Sequence, residues 1–379
     1  MEITIIGWYG TETIGDRAIL AGIFRLLSDA YGSFSVRIGS LYPFYTERTL
    51  LEDIAFYRKS SRNDNLKIAI FDSRNPFCLK SNIRKSNLLL LGGGPLMDLQ
   101  EMSLLDAAFE YAKRKNVKTA ILGCGWGPLS DKGRIEIAKR LVDSSSIAIL
   151  RDKISLEQAK KNGCSEDKII SAIDPAFIAC SVYLKEILEE SRSEDFIAVN
   201  FRDIGFEGKH YSDREFPSDI FVNILKVIQA QSSLPVRLIP MHNFFIGGDD
   251  RIFLNKICQC AESDRISVMQ HPLSLQETMS QYYNAACCVG MRFHSIVLQT
   301  MLNGKNIIVD YTDPKVGKII GMIKEMGIEE KCQNRYMSLH NLTFIPDFSI
   351  NTIERIKIED VRIDKYRTLY VEKLKMLLI

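Results

Sequence analysis

In the stretch "NLLLLGGGPLMD" four leucines run straight into three glycines. A strand with no polar face must be covered on both sides, and a glycine triplet stops it abruptly. The same arrangement recurs along the first half of the chain. "EITIIGWYGTETIGDRAILAGIFRLLSDAYG" reads as a strand, a loop spanning Gly7 to Gly15, and a helix opening near Asp16. That helix places Ile19, Ile23, Leu26 and Leu27 on one face. "KTAILGCGWGPLSD" ends a strand on Gly123, Gly125 and Gly127, and "SSIAILRDKISLEQAKKNG" adds a strand, a turn at Arg151-Asp152 and a helix closed by Gly163. Apolar strands alternating with helices predict a parallel sheet covered on both faces.

A second series follows "SAIDPAFIACSVYLKEILEESRSED". Its strands are "FIAVNFRD", "PVRLIPMH", "RISVMQ", "AACCVGMRFHS" and "NIIVDYTD", with helical segments between them. A chain of 379 residues is long for one domain, so two are expected. The predicted architecture is α/β, with two Rossmann-like, doubly wound domains facing each other across a cleft. Residues 1–185 form the first domain and residues 186–345 the second. Residues 346–379 form a charged helical segment that could pack back on the first, which periodicity alone does not show. Ligands of open α/β sheets lie beyond the C-terminal ends of the strands, so the strand exits carry the candidate sites.

Charge argues against nucleic acid as the partner: 49 lysines and arginines against 47 acids leave a net +2. No apolar run approaches the ~20 residues that cross a bilayer, which predicts a cytoplasmic protein and leaves peripheral membrane contact open. Nine irregularly spaced cysteines, without a CxxC pair or matching histidines, read as reduced thiols rather than a zinc site.

Two groups of exits stand out. In the second series Arg202 ends "FIAVNFRD", and His242 follows "RLIPM" a few residues before "GGDD". Arg292 and His294 share a parity, so on an extended segment they point the same way. The helical pattern begins at about Ser295, which sets His294 at a helix N-terminus where amides attract anions. Lys315, after the next strand, adds a cation to the same edge, and together these groups suit a small dianion. In the first series Gly10, Gly93, Gly94 and Trp126 lie on glycine turns that would line an acceptor pocket, with Trp126 stacking on a sugar ring. His242 is assigned to the acceptor as well. Asp16 reads equally as a helix cap or as an acceptor of a sugar hydroxyl's hydrogen bond.

Taken in order, "GWYGTETIGDRAIL", "LLLLGGGPLMD", "ILGCGWGPLSD", "AILRDKIS", "AIDPAF", "GMRFHS" and "DYTDPKVGKIIGMIKEMG" resemble the polysaccharide pyruvyl transferases, from roughly Met1 to Gly327. Thr13 stands where that family often has asparagine, and Pro95 follows the glycine triplet. The resemblance implies a GT-B-like fold and phosphoenolpyruvate as donor. It implies a product in which a pyruvate ketal bridges two hydroxyls of a sugar, in a cell-surface polysaccharide or its lipid-linked precursor. It also implies that an arginine–histidine pair, here Arg292 and His294, binds the donor, with a second arginine at Arg202. A carboxylate and a phosphate on three carbons call for several cations, which Arg202, Arg292 and Lys315 would supply. His294 is then the candidate acid and Asp16 the candidate acceptor of a hydroxyl proton. The scheme asks for no metal and no cofactor. The competing expectations are a nucleotide-sugar glycosyltransferase and a non-catalytic sugar- or anion-binding homologue. No ribose-binding glutamate follows the "RFHS" helix start, which counts against the former.

Overall fold

A computed structural model of the chain describes residues 1–11, 13–204, 218–244, 246, 248–341 and 349–377. The chain divides into two compact units, Met1–Ile187 with Glu359–Ile379 (unit 1) and Leu188–Ile358 (unit 2).

Unit 1 holds strands β1 (Glu2–Ile6), β2 (Ser35–Ser40), β3 (Lys67–Asp72), β4 (Leu88–Gly92), β5 (Lys118–Cys124), β6 (Ile147–Leu150) and β7 (Ile169–Ser171). They form one parallel sheet in the order β3-β2-β1-β4-β5-β6-β7. Central β4 is buried along its whole length, as its leucine run requires, whereas edge strand β3 is partly exposed. Helices α1 (Ile14–Tyr31), α2 (Pro43–Ser61), α3 (Pro76–Arg84), α4 (Met102–Arg114), α5 (Lys132–Ser144), α6 (Lys153–Lys161) and α7 (Ala176–Val182) connect and follow the strands. The order reverses between β1 and β4, which makes that point the switch where doubly wound sheets bind ligands.

Unit 2 repeats the scheme with β8 (Ile197–Asn200), β9 (Val236–Leu238), β10 (Ile266–Val268), β11 (Cys287–Gly290), β12 (Asn306–Asp310) and β13 (Tyr336–Ser338). Its parallel order is β10-β9-β8-β11-β12-β13, with the switch between β8 and β11. Its helices are α8 (Ser218–Gln231), α9 (Asp250–Cys260), α10 (Leu275–Asn284), α11 (Phe293–Leu302), α12 (Lys318–Met326) and the single turn α13 (Glu329–Cys332).

The last helix, α14 (Asp360–Met376), belongs to unit 1. It buries few apolar residues (Ile363, Tyr370 and Leu374), so polar bonds do much of the anchoring. The Tyr370 hydroxyl donates to Ile173 O at 2.7 Å, the Tyr31 hydroxyl donates to Leu374 O at 2.5 Å, and Arg367 Nε donates to Asp29 at 2.6 Å. Residues 349–358, grouped with the C-terminal helical segment in the sequence reading, lie in unit 2 and carry no helix. Among the described residues no helix is long and apolar enough to cross a membrane.

Candidate active site

Strand β11 stops at Gly290 and α11 starts at Phe293, so only two residues lie between sheet and helix. Arg292 is the N-cap of α11 with extended backbone, and His294 is its second helical residue. The parity expected for an extended segment therefore fails, because the helix begins two residues earlier than its apolar pattern indicated. Both residues nevertheless stand at the helix mouth, where amide N–H groups lack intrahelical partners. His294 is half-buried and its ring meets Phe293 edge-on at 5.0 Å.

The Arg292 guanidinium is held by Asp250. Nε donates to both carboxylate oxygens at 3.1 and 2.8 Å, and Nη2 donates to Oδ1 at 2.5 Å. Asp250 is the first residue of α9, and its Oδ2 also accepts the backbone N–H groups of Met241 and His242 at 3.0 and 3.1 Å. One carboxylate thus ties the exit of β9 to the exit of β11. It fixes the plane of the guanidinium through one edge, while Nη1 makes none of these bonds. Asn200, the last residue of β8, completes the switch point: its Oδ1 accepts from Arg292 N at 3.1 Å and its Nδ2 donates to Ile239 O at 2.9 Å.

Arg202, two residues beyond β8 and only 7% exposed, turns toward Tyr311 at the end of β12. Its Nη1 lies 3.4 Å from the Tyr311 hydroxyl, and its guanidinium carbon stands 5.5 Å from that ring's centre. Lys318 Nζ lies 5.3 Å from the centre of the same ring. The Tyr311 carbonyl is 2.9 Å from His340 Nε2. Beneath them Asp310 accepts from the Thr312 amide, the Thr312 hydroxyl and the Tyr336 hydroxyl, each at 2.6 Å. Burial raises the Asp310 carboxyl above its usual range, against the pull of those bonds and of the Lys318 charge.

In unit 1, Thr13 rather than Asp16 caps α1: its Oγ1 accepts from Asp16 N at 3.2 Å. Asp16 is the third helical residue, and its carboxylate takes a hydrogen bond from the Thr13 hydroxyl. The half-buried carboxylate therefore stands in the first turn at a positive helix end, where it is stabilised.

A family model described as polysaccharide pyruvyl transferase matches residues 14–314. The chain belongs to the polysaccharide pyruvyl transferase family. Comparison with curated proteins gives no match. Among solved structures the chain is similar to UDP-N-acetylglucosamine 2-epimerase from Rickettsia bellii, with a TM-score of 0.60 at 10% identity over 100% of this chain and 96% of that one. MnaA of S. aureus, solved with UDP, gives 0.58 at 12% over 100% and 90%. The Methanocaldococcus jannaschii UDP-GlcNAc 2-epimerase in complex with UDP-GlcNAc and UDP gives 0.56 at 13% over 98% and 93%. At such identities the likeness concerns the fold, which is GT-B-like with two Rossmann-like units.

For this pyruvyl transferase family member the structure rearranges several expected site residues. His242, assigned to the acceptor, is buried in unit 2 and tied through its amide to Asp250, so it belongs with Arg292. Lys315 is exposed in a turn where its amide bonds Asp313, and the contact with Tyr311 comes from Lys318, three residues on. Trp126 is 6% exposed and packs in the hydrophobic core. A Cβ at Gly94 would stand 2.2 Å from Trp8, and one at Gly10 would stand 2.6 Å from Tyr42 N, so these glycines serve close packing. Gly93, by contrast, faces the Asp16 carboxylate and the Tyr9 hydroxyl. The residues missed from sequence were Asn200, Asp250, Tyr311 and Lys318. The tandem acids of "GGDD" at a helix start were the one local signal for Asp250.

Proposed function

We propose that the chain is a phosphoenolpyruvate-dependent ketal pyruvyltransferase acting on a sugar of a cell-surface polysaccharide or its lipid-linked precursor. The observation that carries this reading is the cation cluster at the unit 2 switch point. Arg292 is fixed by Asp250 beside His294 at the mouth of α11, and Arg202 and Lys318 meet at Tyr311 on the adjacent exit. A donor carrying a phosphate and a carboxylate on three carbons matches this set. Arg292 and the amides opening α11 take the phosphate, and Arg202 with Lys318 takes the carboxylate.

His294 protonates C3 of the enol, and C2 becomes electrophilic. One acceptor hydroxyl adds to C2 and releases its proton. The C2–O bond to phosphate then breaks, phosphate leaves with the bonding pair, and the second hydroxyl closes the ring. Of the two hydroxyl protons released, one replaces the proton delivered to C3 and one leaves with phosphate. A lipid-linked acceptor would bring the enzyme to the inner face of the plasma membrane as a peripheral protein.

The second reading is a nucleotide-sugar enzyme, favoured by the UDP ligands named for the structural neighbours. The test supplies phosphoenolpyruvate or UDP-N-acetylglucosamine with a panel of p-nitrophenyl hexosides. Phosphate release together with the mass gain of a pyruvate ketal supports the transferase. Turnover of the nucleotide sugar, with phosphoenolpyruvate left intact, would replace it.

A further inference from the structure

Tyr9 lies three residues past β1, in the loop at the unit 1 switch point. It is 5% exposed, and among the described residues its hydroxyl has no hydrogen-bond partner. A buried hydroxyl left unpaired costs folding free energy, and it is expected where a ligand completes the bond. The surroundings fit that account. The Tyr9 hydroxyl and Asp16 Oδ1 lie 3.6 and 3.5 Å from the point a Cβ on Gly93 would occupy. Gly93, at φ +102°, therefore leaves a gap shared by a hydroxyl and a carboxylate. Tyr9, Thr13, Asp16 and Arg17 also line a cavity of about 20 Å³, room for a single water-sized group.

We propose that this gap binds one hydroxyl of the sugar acceptor, whose oxygen accepts from Tyr9 and whose proton is donated to Asp16. The proposal rests on the transferase reading in taking the ligand to be a sugar acceptor. Burial and the neighbouring Asp16 charge hold the Tyr9 phenol well above its usual range, so at neutral pH Tyr9 gives a hydrogen bond and does not ionise. An ionised carboxylate only accepts. The two groups together recognise a hydroxyl, and an analogue that lacks it leaves the buried Tyr9 hydroxyl unsatisfied. Tyr9 is thus a positioning residue for the acceptor.

The test measures binding and does not depend on turnover. Melting temperatures of the full chain are read with phosphoenolpyruvate present and with p-nitrophenyl glucoside, galactoside, mannoside and N-acetylmannosaminide added in turn. At least one hexoside is expected to stabilise the wild type. Tyr9→Phe is expected to melt at or above the wild-type temperature, because it deletes an unpaired group, yet to bind that hexoside about tenfold more weakly. Asp16→Asn should lose the hexoside shift as well. The proposal is overturned if no hexoside shifts the wild type or if either variant keeps the full shift. It is also overturned if Tyr9→Phe alone melts several degrees lower, since its hydroxyl would then have a structural partner. Hexoside binding that depends on Tyr9, with no phosphate released from phosphoenolpyruvate, would keep the pocket and remove the transferase. Phosphate release with unchanged acceptor KM in Tyr9→Phe would do the reverse.

Discussion

Replacing Arg292 by alanine strips the partner from a carboxylate that has no exit to solvent. The Asp250 side chain is 3% exposed and that of Arg292 17%. Deleting one member of a buried ion pair costs about 3–5 kcal/mol, because the other charge stays behind. Asp250 keeps the amides of Met241 and His242, so the lower end, about 3 kcal/mol, applies. That is a large share of the ~5–15 kcal/mol that holds a typical domain together. Arg292→Ala is therefore not a clean catalytic knockout, and lost activity in it mixes donor binding with folding. The assay is urea unfolding followed by far-UV circular dichroism. Tryptophan fluorescence would follow the other unit, since both tryptophans, Trp8 and Trp126, lie in unit 1. Wild type, Arg292→Ala and the double variant Arg292→Ala/Asp250→Asn are compared at pH 7. The single variant should lose about 3 kcal/mol in the unit 2 transition, and the double variant should recover at least a third of that. Wild-type stability in Arg292→Ala would refute the claim that Asp250 depends on this guanidinium. A double variant no better than the single one would refute the electrostatic origin of the loss.

Lys318→Ala should raise the donor KM about tenfold, whereas Lys315→Ala should leave it nearly unchanged; the opposite result in steady-state kinetics would restore the sequence-based choice. His294→Ala should cut turnover by at least ~100-fold while calorimetry shows donor affinity altered only slightly, and a loss confined to affinity would remove the acid role. In unit 1, Arg25 is wholly buried and its Nη1 and Nη2 donate to Glu186 at 2.8 and 2.6 Å. That hydrogen bond holds the Glu186 carboxyl below its usual value of 4.5. A depressed folded pKa stabilises above the unfolded value, and the contribution fades as pH falls through the folded one. Glu186→Gln should thus lower stability by about 1 kcal/mol at pH 7, allowing for the exposure of Glu186. Its difference from wild type should shrink between pH 5 and pH 3; a constant difference across that range would show that the charge is not what matters.

The sequence pattern revealed the strands buried on both faces, because nothing else calls for runs such as those of β4, β8, β11 and β12. Strands β2, β3 and β13 left no such trace: β3 and β13 are edge strands, and each of the three mixes polar with apolar residues. At the site, the cations announced themselves by standing where an apolar run ends. What they bind did not. The Arg292–Asp250 pair spans 42 residues of sequence, and no local pattern encodes a partner that far away. The choice between Lys315 and Lys318 turned on where α12 begins, a boundary fixed by the turn around Asp313, whose carbonyl accepts from Gly317 N and whose side chain accepts from Lys315 N. The glycine turns of unit 1 looked alike in sequence, yet Gly93 is the one whose missing Cβ faces both the Tyr9 hydroxyl and the Asp16 carboxylate, Gly10 lines the small cavity beside them, and Gly94 packs on Trp8.

The return of α14 to unit 1 bears on how the protein is made. A ribosome delivers β1 to β7 first, then all of unit 2, and only afterwards Arg367 and Tyr370, which bond Asp29 and Ile173. Nascent unit 1 must wait with its seat for that helix uncovered, exposed to chaperones and to premature partners, while about 170 further residues emerge over tens of seconds. A fragment cut at Ile187 would be trapped at that stage, and a separately synthesised α14 peptide is the natural reagent to rescue it.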